Sequence, residues 1–347
     1  MGIIYLLTFF VNNYLDFYYK MYYNLYNKTV KELTMGFLRF LEGIRNPVCD
    51  FLLSLITHLG EETIFMAAAI LIFWCFSKKD GYYLLSVGFV GTVLNQFLKL
   101  LFRIPRPWVL DKDFTIVESA RAEATGYSFP SGHTQSAVGN FGGIAYIYKN
   151  KKAIWIPCVV ICVLVAFSRM YLGVHTPLDV LVSLGIAVLL IFAIKPLMDR
   201  AYENHKVMYI TLSCMVAMSL ALIFYVEFYN FPADIDEHNL ASGIKNAYTL
   251  FGATLGMILA FFLETKYVNF STEGKWYTQI IKLAVGLGLI LGIKAGLKPV
   301  LNFIFAGHAI AHSFRYAIIV LFAAVVWPLT FPLIRKLENL KKAEKKG

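Results

Sequence analysis

Residues 153–198 read AIWIPCVVICVLVAFSRMYLGVHTPLDVLVSLGIAVLLIFAIKPLM. They form two apolar runs, Ala153–Tyr171 and Thr176–Met198, parted only by Leu172–His175. Each run has about the ~20 residues needed to cross a bilayer core as a helix. Neither shows the alternating pattern of a barrel strand. Working outward, seven further runs qualify or nearly do: Gly60–Phe76, Tyr82–Phe102, Ser131–Tyr148, Val207–Tyr229, Asn246–Phe262, Thr278–Leu297 and Ser313–Leu333. The 347-residue chain is 58% hydrophobic and 16% charged, whereas soluble domains average about 45–50% apolar and about 25% charged. That balance excludes a disordered chain, a disulfide scaffold and a collagen-like fibre. The expected fold is all-α, a polytopic transmembrane helical bundle of about nine spans.

The formal net charge is +10. In a membrane protein such an excess belongs to the cytoplasmic loops, which makes nucleic acid an unsuitable partner. One set of alternate loops holds Lys78, Lys79, Lys149, Lys151, Lys152, Arg200, Lys206, Lys266 and Lys275, and the tail from Arg335 to Lys346 joins it. This set is expected inside. Arg103–Pro130, Leu172–His175, the acidic stretch around Asp234, Asp236 and Glu237, and Lys298–His312 then fall outside. Ile3–Tyr19 is apolar but interrupted by Asn12, Asn13 and Asp16, and reads as a tenth span, a surface helix or an uncleaved anchor. Met35–His58 reads as an interfacial amphipathic helix broken or kinked at Pro47, with Phe37, Leu38, Leu41, Ile44 and Val48 at helical spacing. The chain thus divides into an N-terminal extension (1–59), a transmembrane core (60–198), a four-span accessory bundle (199–334) and a basic tail (335–347). Four of the five cysteines lie in or beside apolar runs and read as small buried hydrophobes.

Three clusters carry chemistry. Lys99 and Arg106-Pro107 straddle the outer end of the second span, with Arg103 between them; alone they also read as basic side chains snorkelling to an interface. Pro130-Ser131-Gly132-His133 opens the third span. There the free N–H groups and positive dipole end suit an anion, although an ordinary capped start with an incidental histidine fits as well. Ser168-Arg169 ends the fourth span, His175 precedes the fifth, and Asp179 follows one helical turn later. A carboxylate four residues after a histidine can hold one imidazole nitrogen and leave the other as nucleophile or base. Each also has a bland reading, as a dipole-favoured helix-start carboxylate and a satisfied interface histidine. An aspartate inside a span is nevertheless costly and points to function. All three clusters fall on one side under the topology read from loop charge alone. Together they offer three cations, an anion-binding helix start and two histidines, as phosphoryl transfer requires. No acidic cluster suits Mg²⁺ and no His/Asp group clearly suits zinc, so metal-free chemistry without a cofactor is expected.

The ordered pattern Lys99-x6-Arg106-Pro107, Pro130-Ser131-Gly132-His133 and Ser168-Arg169-x5-His175-x3-Asp179 resembles the signature of the type-2 phosphatidic acid phosphatase superfamily. That superfamily includes lipid phosphate phosphatases, sphingoid-base phosphate phosphatases, glucose-6-phosphatase and vanadium haloperoxidases. The resemblance covers roughly Tyr82–Met198. It implies that His175 attacks phosphorus and becomes phosphohistidine, that Asp179 orients His175, and that His133 protonates the leaving alkoxide and then activates water. It further implies that Lys99, Arg106, Arg169, Ser131 and the Gly132 amide hold the phosphate, and that Ser168 lies one layer back. Arg103 lies outside the pattern and is expected to snorkel.

The expected activity is hydrolysis of a lipid phosphomonoester or polyprenyl diphosphate. The nine-span layout keeps a sugar-phosphate phosphatase as an alternative, and the same intermediate also suits a lipid phosphotransferase. The substrate is expected to arrive through the lipid bilayer of a bacterial plasma membrane, with the site on its outer face. The Trp108–Phe129 loop, with Glu118, Arg121, Glu123 and Tyr127, is the lid candidate. In the last four spans, Gly288, Gly292 and Gly296 form a stripe suited to helix packing. Lys294, Lys298, His308, His312 and Arg315 gather toward the outer side as headgroup pocket, polar network or interfacial charge.

Overall fold

The computed structural model describes residues 31–336. Ile3–Tyr19 and most of the basic tail lie outside the described residues. Among those described, the regular elements are all helical: α1 (Lys31–Gly43), α2 (Pro47–Thr57), α3 (Glu62–Cys75), α4 (Lys78–Phe102), α5 (Pro107–Leu110), α6 (Gly132–Ala137), α7 (Gly143–Ile147), α8 (Lys152–Tyr171), α9 (Pro177–Glu203), α10 (His205–Phe228), α11 (Glu237–Leu263), α12 (Trp276–Ile304) and α13 (Ile310–Leu321). A π-turn, Val138–Gly142, joins α6 to α7.

Every expected span is helical, but fewer are long enough to cross. Seven helices among the described residues are long and apolar enough, or up to eight if the bent pair Pro47–Gly60 and Glu62–Cys75 counts as one. The shortfall lies in the first and third segments. With 14 residues, α3 rises only about 21 Å at ~1.5 Å per residue. Gly132–Ile147 rises about 24 Å, against a hydrocarbon core of about 30 Å. Hydropathy runs through residues where the backbone has already stopped or bent, so it overstates both lengths.

The chain forms two compact units that alternate along the sequence. Of the described residues, the first comprises 31–65 with Val87–Ala193 and Leu222–Ile244; the second comprises Met66–Ser86, Ile194–Ala221 and 245–336.

In the first unit, α2 and α6 pack on α8. The break after α1 comes at residues 44–46, ahead of Pro47. Asn46 accepts from the Cys49 amide at 3.0 Å as a helix cap, and Pro47 occupies the first helical position, where its fixed φ and missing N–H cost nothing. The proline therefore starts a helix rather than kinking one. The apolar residues of α1 and α2 divide between two faces. Leu38 and Leu41 are buried, with Leu38 packed on Phe114 and Ile116, whereas Phe37, Phe40, Ile44, Val48 and Phe51 are exposed. The Trp108–Phe129 segment is tied to α1. Arg39 bonds Asp111 at 2.8 Å, the Thr115 amide donates to Glu42 at 2.8 Å, and Arg45 donates to the Thr115 carbonyl at 2.7 Å. Arg45 also reaches the Tyr171 carbonyl at 2.9 Å.

In the second unit the basic loops meet at one end. Lys78 pairs with buried Glu264 at 2.8 Å, Lys79 with Asp199 at 2.9 Å and Arg335 with Glu273 at 3.0 Å. Packing of α11 on α13 depends on Gly252, because a Cβ there would lie 2.0 Å from the Ser313 carbonyl oxygen. Ser313 in turn donates to the Tyr248 carbonyl at 2.6 Å. Gly288, Gly292 and Gly296 have the spacing of a packing stripe, yet a Cβ on any of them would meet nothing within 4 Å. Nothing described packs against that stripe. Of the cysteines, Cys75, Cys158 and Cys162 are buried, Cys49 is half-buried and Cys214 is exposed on α10.

Candidate active site

The three clusters meet inside the first unit. Asp179 stands in the first turn of α9 and is fully buried. Its Oδ2 accepts from the Thr176 amide at 2.8 Å and from the Ser128 hydroxyl at 2.6 Å. The same oxygen lies 3.4 Å from His175 Nδ1. This contact is longer than a good hydrogen bond, as catalytic contacts often are without substrate. The other face of the imidazole is better defined. Arg106 Nη1 lies 2.9 Å from His175 Nε2. A guanidinium can only donate, so Nε2 carries the lone pair and Nδ1 carries the proton facing Asp179. Burial, and then the charges of Arg106, Arg169 and Lys99, hold His175 well below the ordinary histidine pKa. It is neutral at neutral pH, with its unprotonated nitrogen turned toward the cations.

Those cations are themselves buried. Arg106 precedes α5, where Pro107 begins the short helix, and it bonds the carbonyls of Val174, Gly126 and Thr125 at 2.9, 3.1 and 2.7 Å. Lys99, in the last turn of α4, donates to the Tyr127 carbonyl. Arg169, in the last turn of α8, is fully buried. Its Nη1 donates to Thr57 Oγ1 at 2.7 Å, while Nε and Nη2 have no partner among the described residues. Buried charge-bearing donors without partners are costly, and three anionic oxygens would satisfy such a set.

Ser131 caps α6, accepting from the Thr134 amide at 3.4 Å and the Thr134 hydroxyl at 3.0 Å. Its own amide donates to the Asp179 carbonyl at 3.1 Å, which joins the start of α6 to the start of α9. A Cβ on Gly132 would have Asn95 Oδ1, at 3.9 Å, as its nearest neighbour, so the helix start stays open. His133 follows in the first turn; its Nε2 is buried without a partner among the described residues, and the charges of Arg169, Arg106 and Lys99 all bear on it.

Lys99, Arg106, His133, Arg169, His175 and Asp179 are thus brought together, with Ser131 and Gly132 at the helix start beside them. Ser168 is buried but turns back to the Val165 carbonyl of its own helix at 2.7 Å. Arg103 does not snorkel. It is 7% exposed, with its guanidinium 5.8 Å from the Tyr229 ring centroid.

Sequence reasoning missed four contributors. Ser128 touches both Asp179 and His175 Nδ1, the latter at 3.5 Å. Thr57 holds Arg169 across 112 residues of chain. The carbonyls of Thr125, Gly126 and Tyr127 hold the cations, and Gly60 lies against His133, where a Cβ would be 2.8 Å from the His133 carbonyl oxygen. Ser128 neighbours a recognised motif and was the one within reach; a backbone carbonyl or a threonine on a distant helix leaves no mark in the sequence.

Comparison with known proteins matches residues 80–203 to the PAP2 superfamily and residues 248–339 to the transmembrane extension of PAP2 superfamily phosphatases. The chain is 34% identical to undecaprenyl-diphosphatase BcrC of Bacillus subtilis over 172 residues, 46% of this chain and 84% of that protein. It is 34% identical to phosphatidylglycerophosphatase B of the same organism over 164 residues, 44% of this chain and 76% of that protein. A longer match, 26% identical over 264 residues, covers 63% of this chain and 72% of the bovine glucose-6-phosphatase catalytic subunit 1.

Proposed function

The chain belongs to the PAP2 superfamily and is a membrane phosphatase, and from that premise we propose that it removes phosphate from a lipid phosphomonoester or polyprenyl diphosphate through a phosphohistidine intermediate. The observation that carries this reading is the His175 imidazole, with Nδ1 facing Asp179 and the lone pair of Nε2 facing Arg106. Substrate phosphate exchanges places with the carbonyls that occupy Arg106 and Lys99, and engages Arg169 Nε and Nη2, the α6 start at Ser131 and the Gly132 amide. The Nε2 lone pair attacks phosphorus in line, an N–P bond forms and the P–O bond to the lipid breaks. His133 gives its proton to the departing oxygen. Asp179 stabilises the positive charge on His175. His133 then takes a proton from water, which attacks phosphorus, and inorganic phosphate leaves with the His175 lone pair restored. Charge neutralisation comes from side chains and helix dipole, and the chemistry needs no metal.

A lipid substrate is supported by what the two Bacillus relatives are named for and by a site built from helix ends, where a headgroup meets the protein while its tail stays in the bilayer. Loop charge supports a site on the outer face of the membrane. The match to glucose-6-phosphatase supports a second reading, a sugar phosphate. Purified enzyme in detergent is to be given undecaprenyl diphosphate, phosphatidylglycerophosphate, phosphatidate, sphingosine phosphate and glucose 6-phosphate, with His175→Ala as control. At least one lipid should exceed glucose 6-phosphate by about 100-fold in kcat/KM, a difference of about 2.7 kcal/mol. Equal or better turnover of glucose 6-phosphate would replace the lipid reading. Transfer of labelled phosphate to a lipid or sugar acceptor instead of water would make the enzyme a phosphotransferase.

A further inference from the structure

The second unit holds a group of cations that the phosphatase chemistry does not use. Arg315, midway along α13, is 6% exposed, and its Nε has no partner among the described residues. Its Nη2 lies 2.8 Å from His312 Nδ1. Because the guanidinium donates, His312 must accept and is held neutral, so it brings no counter-charge. The charges of Arg315, Lys245 and Lys298 all bear on His312, and no carboxylate is among the groups acting on it. Arg315 is buried while Lys245 and Lys298 are exposed beside it, and among the described residues no carboxylate pairs with this guanidinium, which is costly.

The same two helices, α12 and α13, also line an apolar groove of about 440 Å³, within the ~300–1,000 Å³ range of ligand pockets. Ile293, Gly296 and Leu297 form one wall, and Ile318, Leu321 and Phe322 the other. Ile318 stands three residues after Arg315, hence on the same face of α13, and Leu297 is followed by Lys298. The wall at Gly296 stays open because the glycine stripe carries no side chains and nothing covers it within 4 Å. An apolar channel running from helix interior to a cationic rim matches the two halves of an anionic amphiphile. A soluble anion would have no use for the groove.

We propose that the second unit binds one anionic phospholipid outside the active site, its phosphate among Arg315, Lys298 and Lys245 and one acyl chain in the groove between α12 and α13. Phosphatidylglycerol suits the test because its phosphodiester is no phosphomonoester substrate, so the result stands or falls independently of the phosphatase reading. The full chain is reconstituted in phosphatidylcholine nanodiscs carrying a trace of phosphatidylglycerol with a diazirine in one acyl chain. The cross-links are then mapped by peptide mass spectrometry. Labelling is expected on residues 293–297 and 318–322. It should fall about tenfold, equal to about 1.4 kcal/mol, in the double variant Arg315→Gln, Lys298→Gln. A second variant, Gly296→Phe, changes no charge, places its Cβ where nothing lies within 4 Å, and puts its ring into the groove, so it should abolish labelling. The same diazirine chain on phosphatidylcholine should label the groove several-fold less. Labelling elsewhere only, equal labelling by both lipids, or labelling that survives both variants would overturn the proposal.

Discussion

At the scale of single residues, the decisive pair is His175 and Asp179. Their four-residue spacing at a helix start was readable in the sequence, because one helical turn fixes what two such side chains can do. Asp179→Asn keeps an oxygen for the Thr176 amide but weakens support for a charged imidazole. It should lower kcat about 10²- to 10⁴-fold with the fold retained, as measured by phosphate release beside a melting curve. His175 also sets a pH dependence. Its folded pKa is depressed below the ordinary 6.5, so the unfolded chain takes up this proton first as pH falls. The stability it supports is complete above about pH 6.5 and is lost below it, by up to ~1.4 kcal/mol per pH unit until the folded value is reached. The melting point of wild type should therefore fall more between about pH 7.5 and 5.5 than that of His175→Gln. Thr57 is a positioning residue that was not legible, since nothing local links it to Arg169. Thr57→Val removes one partner of a buried, charged donor, a loss of about 1.5–3 kcal/mol. KM and vanadate affinity should weaken about 10- to 100-fold, with recovery in Thr57→Ser. An equal loss in both variants would reduce Thr57 to packing.

At the scale of elements, helix identity was legible and helix length was not. Hydropathy reports how apolar a run is, while the ends of α3 and of the α6–α7 rod are set by caps, turns and a bend of 52° that composition does not register. That bend, at Thr57–Glu61, carries Gly60 against the His133 backbone. Gly60→Ala would put its Cβ 2.8 Å from both the His133 carbonyl oxygen and Val165 Cγ1. Displacing His133 by even a fraction of an ångström should lower kcat more than it raises KM; a change in KM alone would show that the bend shapes substrate entry instead. The Trp108–Phe129 loop also positions the site, because its carbonyls at Thr125, Gly126 and Tyr127 hold Arg106 and Lys99. Exchanging residues 109–124 for a Gly/Ser linker, with 125–127 kept, should shift preference among lipid substrates while leaving vanadate inhibition intact.

At the scale of the whole molecule, composition announced a membrane protein, and the motifs announced its chemistry, but the division into two alternating units was hidden. Motif spacing suggested a core complete by Met198. In the structure Leu222–Ile244 also packs in the unit that holds the motif residues. Tyr225 packs on Phe97 with ring centroids 5.1 Å apart, and Gly243 lies against Leu100, one residue after Lys99. A chain truncated after Glu203 keeps every motif residue, yet it should lose activity and its cooperative melting transition. The metal-free reading belongs to the intact enzyme. Dialysis against EDTA should leave turnover unchanged and vanadate should inhibit, whereas activity lost to chelation and restored by Mg²⁺ would refute it. The alternation of units also bears on how the protein is made. When Asp179 leaves the ribosome, all the motif residues have been synthesised, but Gly243, which lies against Leu100, is more than a span downstream. The enzyme should therefore gain activity only once Gly243 has been inserted, so that a nascent chain stalled in between is expected to hold every motif residue and none of the activity.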